Sequence, residues 1–231
     1  MENKRKNSVA SLIMNLAIVF FTIESVAYGF RKDIIHNPDW LGFAGFQSLR
    51  FFTVLSNIFV AIAALIMIIY NVKNILDENK EYPNWLIVLK HTATTAVAVT
   101  FITVLLILAP GYAYMGKGYF TLFSNNSFIM HFLTPIMAII TFVFFECSKK
   151  VSFKKSLFGL LPVILYSILY TIMVVAIGEA NGGWPDFYNF TLGGKIWMIP
   201  ISIFTMYFLA FALSTMIAKL HNIKDKKSNG K

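Results

Sequence analysis

Residues 49–70 read LRFFTVLSNIFVAIAALIMIIY, a run of 22 residues in which Arg50 is the sole charge. As a helix this run is about 33 Å long, enough to cross a hydrocarbon core of about 30 Å. Its apolar side chains fall on every face, neither confined to one stripe nor alternating with polar ones. That excludes both the surface helix of a soluble protein and the strand of a membrane barrel. Five further runs of the same character lie near residues 9–30, 85–108, 127–145, 158–177 and 196–220. The chain is therefore expected to be an all-α membrane protein, a six-transmembrane-helix bundle forming one domain over residues 1–231. Its polar ends, 1–8 and 222–231, are expected to fray.

Composition agrees with this reading. Hydrophobic residues make up 57% and charged residues 13%, against about 25% charged in soluble domains. The basic residues fall in every second gap. Fifteen of the twenty lysines and arginines lie before the first run, around the second and fourth gaps (Lys90 counted with them) and after the last; the other five are Arg31, Lys32, Arg50, Lys117 and Lys195. Basic residues resist translocation, so both termini are expected to be cytoplasmic. The same placement assigns the net charge of +9 to topology and anionic headgroups and not to nucleic acid. The basic start followed by an apolar run imitates a signal peptide, but the run is too long and lacks a small-residue cleavage site. Cys147 is the single cysteine, which leaves no internal disulfide and no multi-cysteine metal site. No ligand spacing points to a metal or an organic cofactor. The abundance of lysine, isoleucine and asparagine fits an AT-rich genome, and a bacterial plasma membrane is the expected location.

Polar groups at membrane depth are costly unless paired, so function is sought there. Thr53, Ser56 and Asn57 are related by i+3 and i+4 and share one face of the second run, while Phe51, Phe52 and Leu55 cover other directions. That face should point into the bundle. His131 lies about one turn into the fourth run, ahead of Pro135, which offers no N–H to the His131 carbonyl in an α-helix and should kink it. Of the other histidines, His36 falls in the first outer loop, His91 toward the inner side of the third run and His221 in the tail. Thr53 and His131 each sit about four residues past the outer start of their helices, roughly 6 Å down, and are candidates to face each other at one level. The third polar cluster is the last outer loop, containing Glu179, Trp184 and Asp186 among several glycines. Its composition suits an interfacial cap.

Each feature also has a plain structural reading. A threonine in such a helix ordinarily bonds its own backbone, His131 could be a packed helix contact, Ser56 and Asn57 interhelical glue, and the loop an ordinary turn. Lys90 and His91 read as markers of the cytoplasmic interface, with the lysine snorkelling outward.

Arg50-Phe51-Phe52-Thr53-Val54-Leu55-Ser56-Asn57, followed by His131 with Pro135 four residues on, resembles the androgen-induced and androgen-dependent integral membrane proteins and their bacterial six-span relatives. The resemblance implies an intramembrane threonine hydrolase of fatty acid esters of hydroxy fatty acids, with Thr53 as nucleophile and His131 as general base. Asn57, with Ser56 beside it, is then the candidate for orienting the site or stabilising an oxyanion. Trp184-Pro185-Asp186-Phe187 matches a late segment of the family in a different order, and Glu179 and Asp186 are candidates for an acid partner of the histidine. The expected partners are membrane lipids and an acyl-ester substrate. An acyltransferase using the same pair, and a lipid-binding or transport protein without chemistry, are the alternatives. Transport is disfavoured because neither paired intramembrane carboxylates nor an inverted repeat of broken helices is evident.

Overall fold

The computed structural model describes residues 2–35, 45–77, 80–147 and 149–229; His36 lies outside them. Among the described residues the chain is all helix and turn, and six helices are long and apolar enough to span a membrane. They are α1 (Lys4–Phe30), α2 (Phe52–Leu76), α3 (Asn84–Tyr114), α4 (Asn125–Phe145), α5 (Phe153–Ile177) and α6 (Ile196–Lys224). At both ends of the chain the helix outruns its span, from Glu2 to Ile35 in the first and on to Asn229 in the last. Asn222, in the tail expected to fray, holds Val151 by a reciprocal pair of hydrogen bonds of 2.8 and 2.9 Å.

The third helix is the centre of the bundle. It is the most buried of the six and α6 the least, because α3 carries Ala93, Thr94, Thr95, Ala96 and Ala98 where neighbours approach and small side chains let helix backbones come close. Gly159 of α5 marks a close crossing: a Cβ there would collide with the Ser214 side chain of α6 and press on Thr95 of α3.

Pro110 and Pro135 are absorbed without breaking their helices, by one shared device. Ahead of each proline the helix widens into π turns, at Val104–Leu108 and Ile129–Leu133, where Ala109 N–H reaches the Val104 carbonyl and Thr134 N–H reaches that of Ile129. In this i+5 register the carbonyl deprived of a donor by proline is one residue earlier than in an α-helix. It is Leu105 ahead of Pro110 and Met130, not His131, ahead of Pro135. Each receives a side-chain donor instead: the Tyr119 hydroxyl bonds Leu105 at 2.8 Å and the Asn57 amide bonds Met130 at 3.1 Å. In a membrane an unmet carbonyl has no water to fall back on, so these donors are part of the fold.

The six crossings bring both chain ends to one end of the bundle. Lys4 bonds the Lys80 carbonyl between α2 and α3, and His221 reaches the Lys149 carbonyl between α4 and α5. The interior toward that end corrects the reading of Lys90 and His91. Neither snorkels. Lys90 is 0% exposed, 3.8 Å from Glu146 Oε1, and donates to Asn15 Oδ1 at 2.5 Å. Asn15 and Ser11 of α1 donate to the same carboxylate oxygen at 2.8 and 3.0 Å, and Asn71 and Tyr82 extend the network. Burial first, and the nearby Glu146 second, push the Tyr82 phenol up to about 12. His91 is also buried, its Nε2 lying 3.0 Å from the Ser214 carbonyl.

Candidate active site

Thr53 occupies the second position of α2, immediately after the turn that starts the helix at Phe52. Its carbonyl accepts two bonds, from Ser56 Oγ at 3.0 Å and Asn57 Nδ2 at 2.8 Å. Ser56 and Asn57 are buried, so the polar face does turn inward. Phe51 turns inward as well: it packs on Phe187 with ring centroids 4.6 Å apart.

Thr53 and His131 line one cavity of about 330 Å³. It lies at the end of the bundle away from the termini, and Ser25, Asn126, Phe187 and Tyr188 are among its other walls. The tautomer of His131 follows from its partner. Nδ1 lies 2.6 Å from the Leu122 carbonyl, which can only accept, so in the neutral ring Nδ1 bears the proton and Nε2 keeps its lone pair. Among the described residues nothing bonds Nε2. The backbone carbonyl thus holds the place at Nδ1 that a carboxylate takes in a nucleophile, base and acid triad.

The acid candidates lie elsewhere. Glu179 is exposed, and neither it nor Asp186 lines the cavity. Asp186 instead organises the loop: it accepts from Tyr170 Oη at 2.7 Å, the N–H groups of Phe190 and Thr191 at 2.9 and 2.8 Å, and Thr191 Oγ1 at 2.5 Å. Burial opposes its charge, but these four bonds outweigh burial and hold the carboxyl below its ordinary value. Trp184 stacks in the same loop, 5.9 Å from Phe187 and 6.3 Å from Tyr170, and does not line the cavity. Through Phe187 and Tyr188 the loop reaches the cavity as a roof.

Asn57 positions but has no hydrogen left to offer. Its two amide protons are committed to the carbonyls of Thr53 and Met130, so it ties the nucleophile candidate's turn to that of the histidine. Ser56 bonds across to Thr100 Oγ1 at 3.0 Å. Tyr188 is the polar group that sequence reasoning passed over. Its hydroxyl receives the Phe52 N–H at 3.0 Å at the start of α2, and it lines the cavity with Thr53 and His131. Burial pushes this phenol up to about 12, so it is a proton donor at neutral pH. Only its place in an aromatic, glycine-rich loop pointed to it.

Thr53 also faces a second space. It lines a small pocket of about 70 Å³ that shares Phe52 and Tyr166 with an apolar groove of about 670 Å³. Leu55 and Phe59 of α2, Leu89 of α3 and Leu165 of α5 wall that groove. The threonine therefore stands between the histidine-bearing cavity and a small pocket that adjoins the apolar groove. Comparison of the chain with protein families, curated proteins and solved structures yields no match.

Proposed function

We propose that the protein is an intramembrane hydrolase of lipid esters, such as fatty acid esters of hydroxy fatty acids, acting through Thr53 and His131 near the outer leaflet of a bacterial plasma membrane. Both termini face the cytoplasm in this reading. The observation that carries it is that Thr53 and His131 line one cavity, His131 with its Nε2 unbonded, near an apolar groove with the volume for an acyl chain. The resemblance of the Arg50 to Asn57 stretch and of His131 with Pro135 to the androgen-induced membrane proteins supports the same assignment.

The chemistry balances with these groups alone. His131 Nε2 takes the Thr53 hydroxyl proton as Oγ1 attacks the ester carbonyl, and the Tyr188 hydroxyl stabilises the oxyanion. Collapse of the tetrahedral centre breaks the ester C–O bond, and the imidazolium returns its proton to the departing alcohol. Water entering from the cavity then loses a proton to Nε2 and attacks the acyl-threonine. Breakdown of that centre frees the carboxylic acid and restores the hydroxyl of Thr53.

The test is intact-mass spectrometry after exposure to a fluorophosphonate. One adduct mapping to Thr53 in the wild type, absent in Thr53→Val and in His131→Ala, is expected. An adduct that persists in Thr53→Val, or none in the wild type beside a labelled serine hydrolase, refutes the assignment.

A further inference from the structure

At the end of the bundle that holds both termini, an open groove of about 520 Å³ runs between the α4–α5 connection and α6. Its size is that of a small-molecule site. Lys150 stands on one wall and Lys219 on the other, with Val151, Phe153, Ala218 and Ile223 supplying apolar surface. We propose that this groove binds the phosphodiester headgroup of an anionic glycerophospholipid in the leaflet on the side of the termini, held between Lys150 and Lys219.

Three observations support the assignment. The groove is built, not incidental. The two ring nitrogens of His221 reach the carbonyls of Phe142 and Lys149 at 2.9 and 3.0 Å, and Asn222 takes both the N–H and the carbonyl of Val151. Lys150 is thus carried on a backbone clamped on either side to α6, the helix that bears Lys219.

Charge is the second observation. Two lysines line one groove, and among the described residues no carboxylate lines it. Of the acidic side chains described nearby, Glu81 lies 3.4 Å from Lys149, and Glu146 is buried against Lys90. Like charges on facing walls repel unless an anion sits between them, and a phosphate oxygen accepts from both.

The third observation separates a lipid from a free anion. Phe153 is 64% exposed and Ile223 47% exposed, and Phe153 meets Phe211 of α6 at 6.3 Å, so the apolar wall continues onto the lipid-facing surface of the helix. A soluble anion gains nothing from that wall, whereas the glycerol backbone and the first methylenes of a lipid are buried by it. Juxtamembrane lysines commonly attract anionic membranes diffusely, but a clamped lysine facing a second across an apolar-walled groove is a discrete site.

The test is native mass spectrometry of the full-length protein in detergent, with phosphatidylglycerol and phosphatidylcholine competing. Wild type should retain phosphatidylglycerol over phosphatidylcholine by about 30-fold, from the attraction of two basic side chains to an anionic lipid. Lys150→Gln with Lys219→Gln should bring the two lipids close to parity. Lys154→Gln with Lys155→Gln removes equal charge outside the groove and should leave the preference standing. An equal loss in both double variants, or no preference in the wild type, overturns the proposal. So does loss of bound phosphatidylglycerol to millimolar inorganic phosphate, which would make this a site for free anions.

Discussion

The amide of Asn57 in α2 donates to the carbonyl of Met130 in α4 at 3.1 Å, in the turn where Pro135 leaves that carbonyl without a backbone partner. One side chain thereby completes a helix interrupted by proline and links the turn of Thr53 to the turn of His131. Asn57→Ala should cost about 1–3 kcal/mol by stranding a buried carbonyl. Pro135→Ala restores an N–H that can take over, so the cost of Asn57→Ala should shrink in the Pro135→Ala background. Thermal unfolding of the four proteins of this cycle measures the coupling, and additive losses would disprove the link.

Tyr188→Phe separates chemistry from binding. The ring keeps its packing against Phe187 at 4.8 Å and Tyr170 at 5.5 Å, while the hydroxyl that accepts the Phe52 N–H is lost. If it stabilises an oxyanion, kcat should fall about 100-fold with KM little changed. A rise in KM alone would assign the hydroxyl to substrate binding.

The Lys90–Glu146 pair should behave as a unit. Removing either charge leaves the other buried and unpaired, so Lys90→Met and Glu146→Gln should each destabilise by about 3–5 kcal/mol, and the double variant should recover much of that loss. Labelling of Thr53 should survive in the double variant, because the pair lies toward the opposite end of the bundle from the cavity. Equal stability of single and double variants would show that the pair is not coupled.

Asp186 makes the roof sensitive to acid. Its folded carboxyl lies below the ordinary value of 3.8, so its stabilising contribution is complete above that value and is lost as pH falls through the lower folded one. Proteolysis of the loop between α5 and α6 should therefore accelerate below about pH 4, and Asp186→Asn should be cleaved rapidly already at neutral pH. A pH-independent cleavage rate in the wild type would remove Asp186 as the organiser of the loop.

Six spans and an inward polar face at Thr53, Ser56 and Asn57 were legible in the sequence because length, hydropathy and a 3.6-residue period are local properties, although several helices run four to six residues past the expected edges. The same reading misplaced Lys90, since depth along a helix can be counted from its ends but the direction a side chain takes depends on what stands opposite. Ser11 and Asn15, 75 or more residues away, supply part of the pocket that lets Lys90 and Glu146 stay inside. Pro135 alone announces a disturbed helix, but the shift of its orphaned carbonyl from His131 to Met130 depends on the π turn. Hydropathy and residue type along the chain are enough to indicate a lipid solvent, six spans and the side chains able to react. Contacts across the bundle are needed to see that Leu122 sets the tautomer of His131, that Asn57 has both amide protons committed while Tyr188 keeps a hydroxyl, and that Asp186 builds a roof and not a triad. Those outcomes rest on contacts between distant segments, and a hydrogen bond is spent or free according to its partners in space.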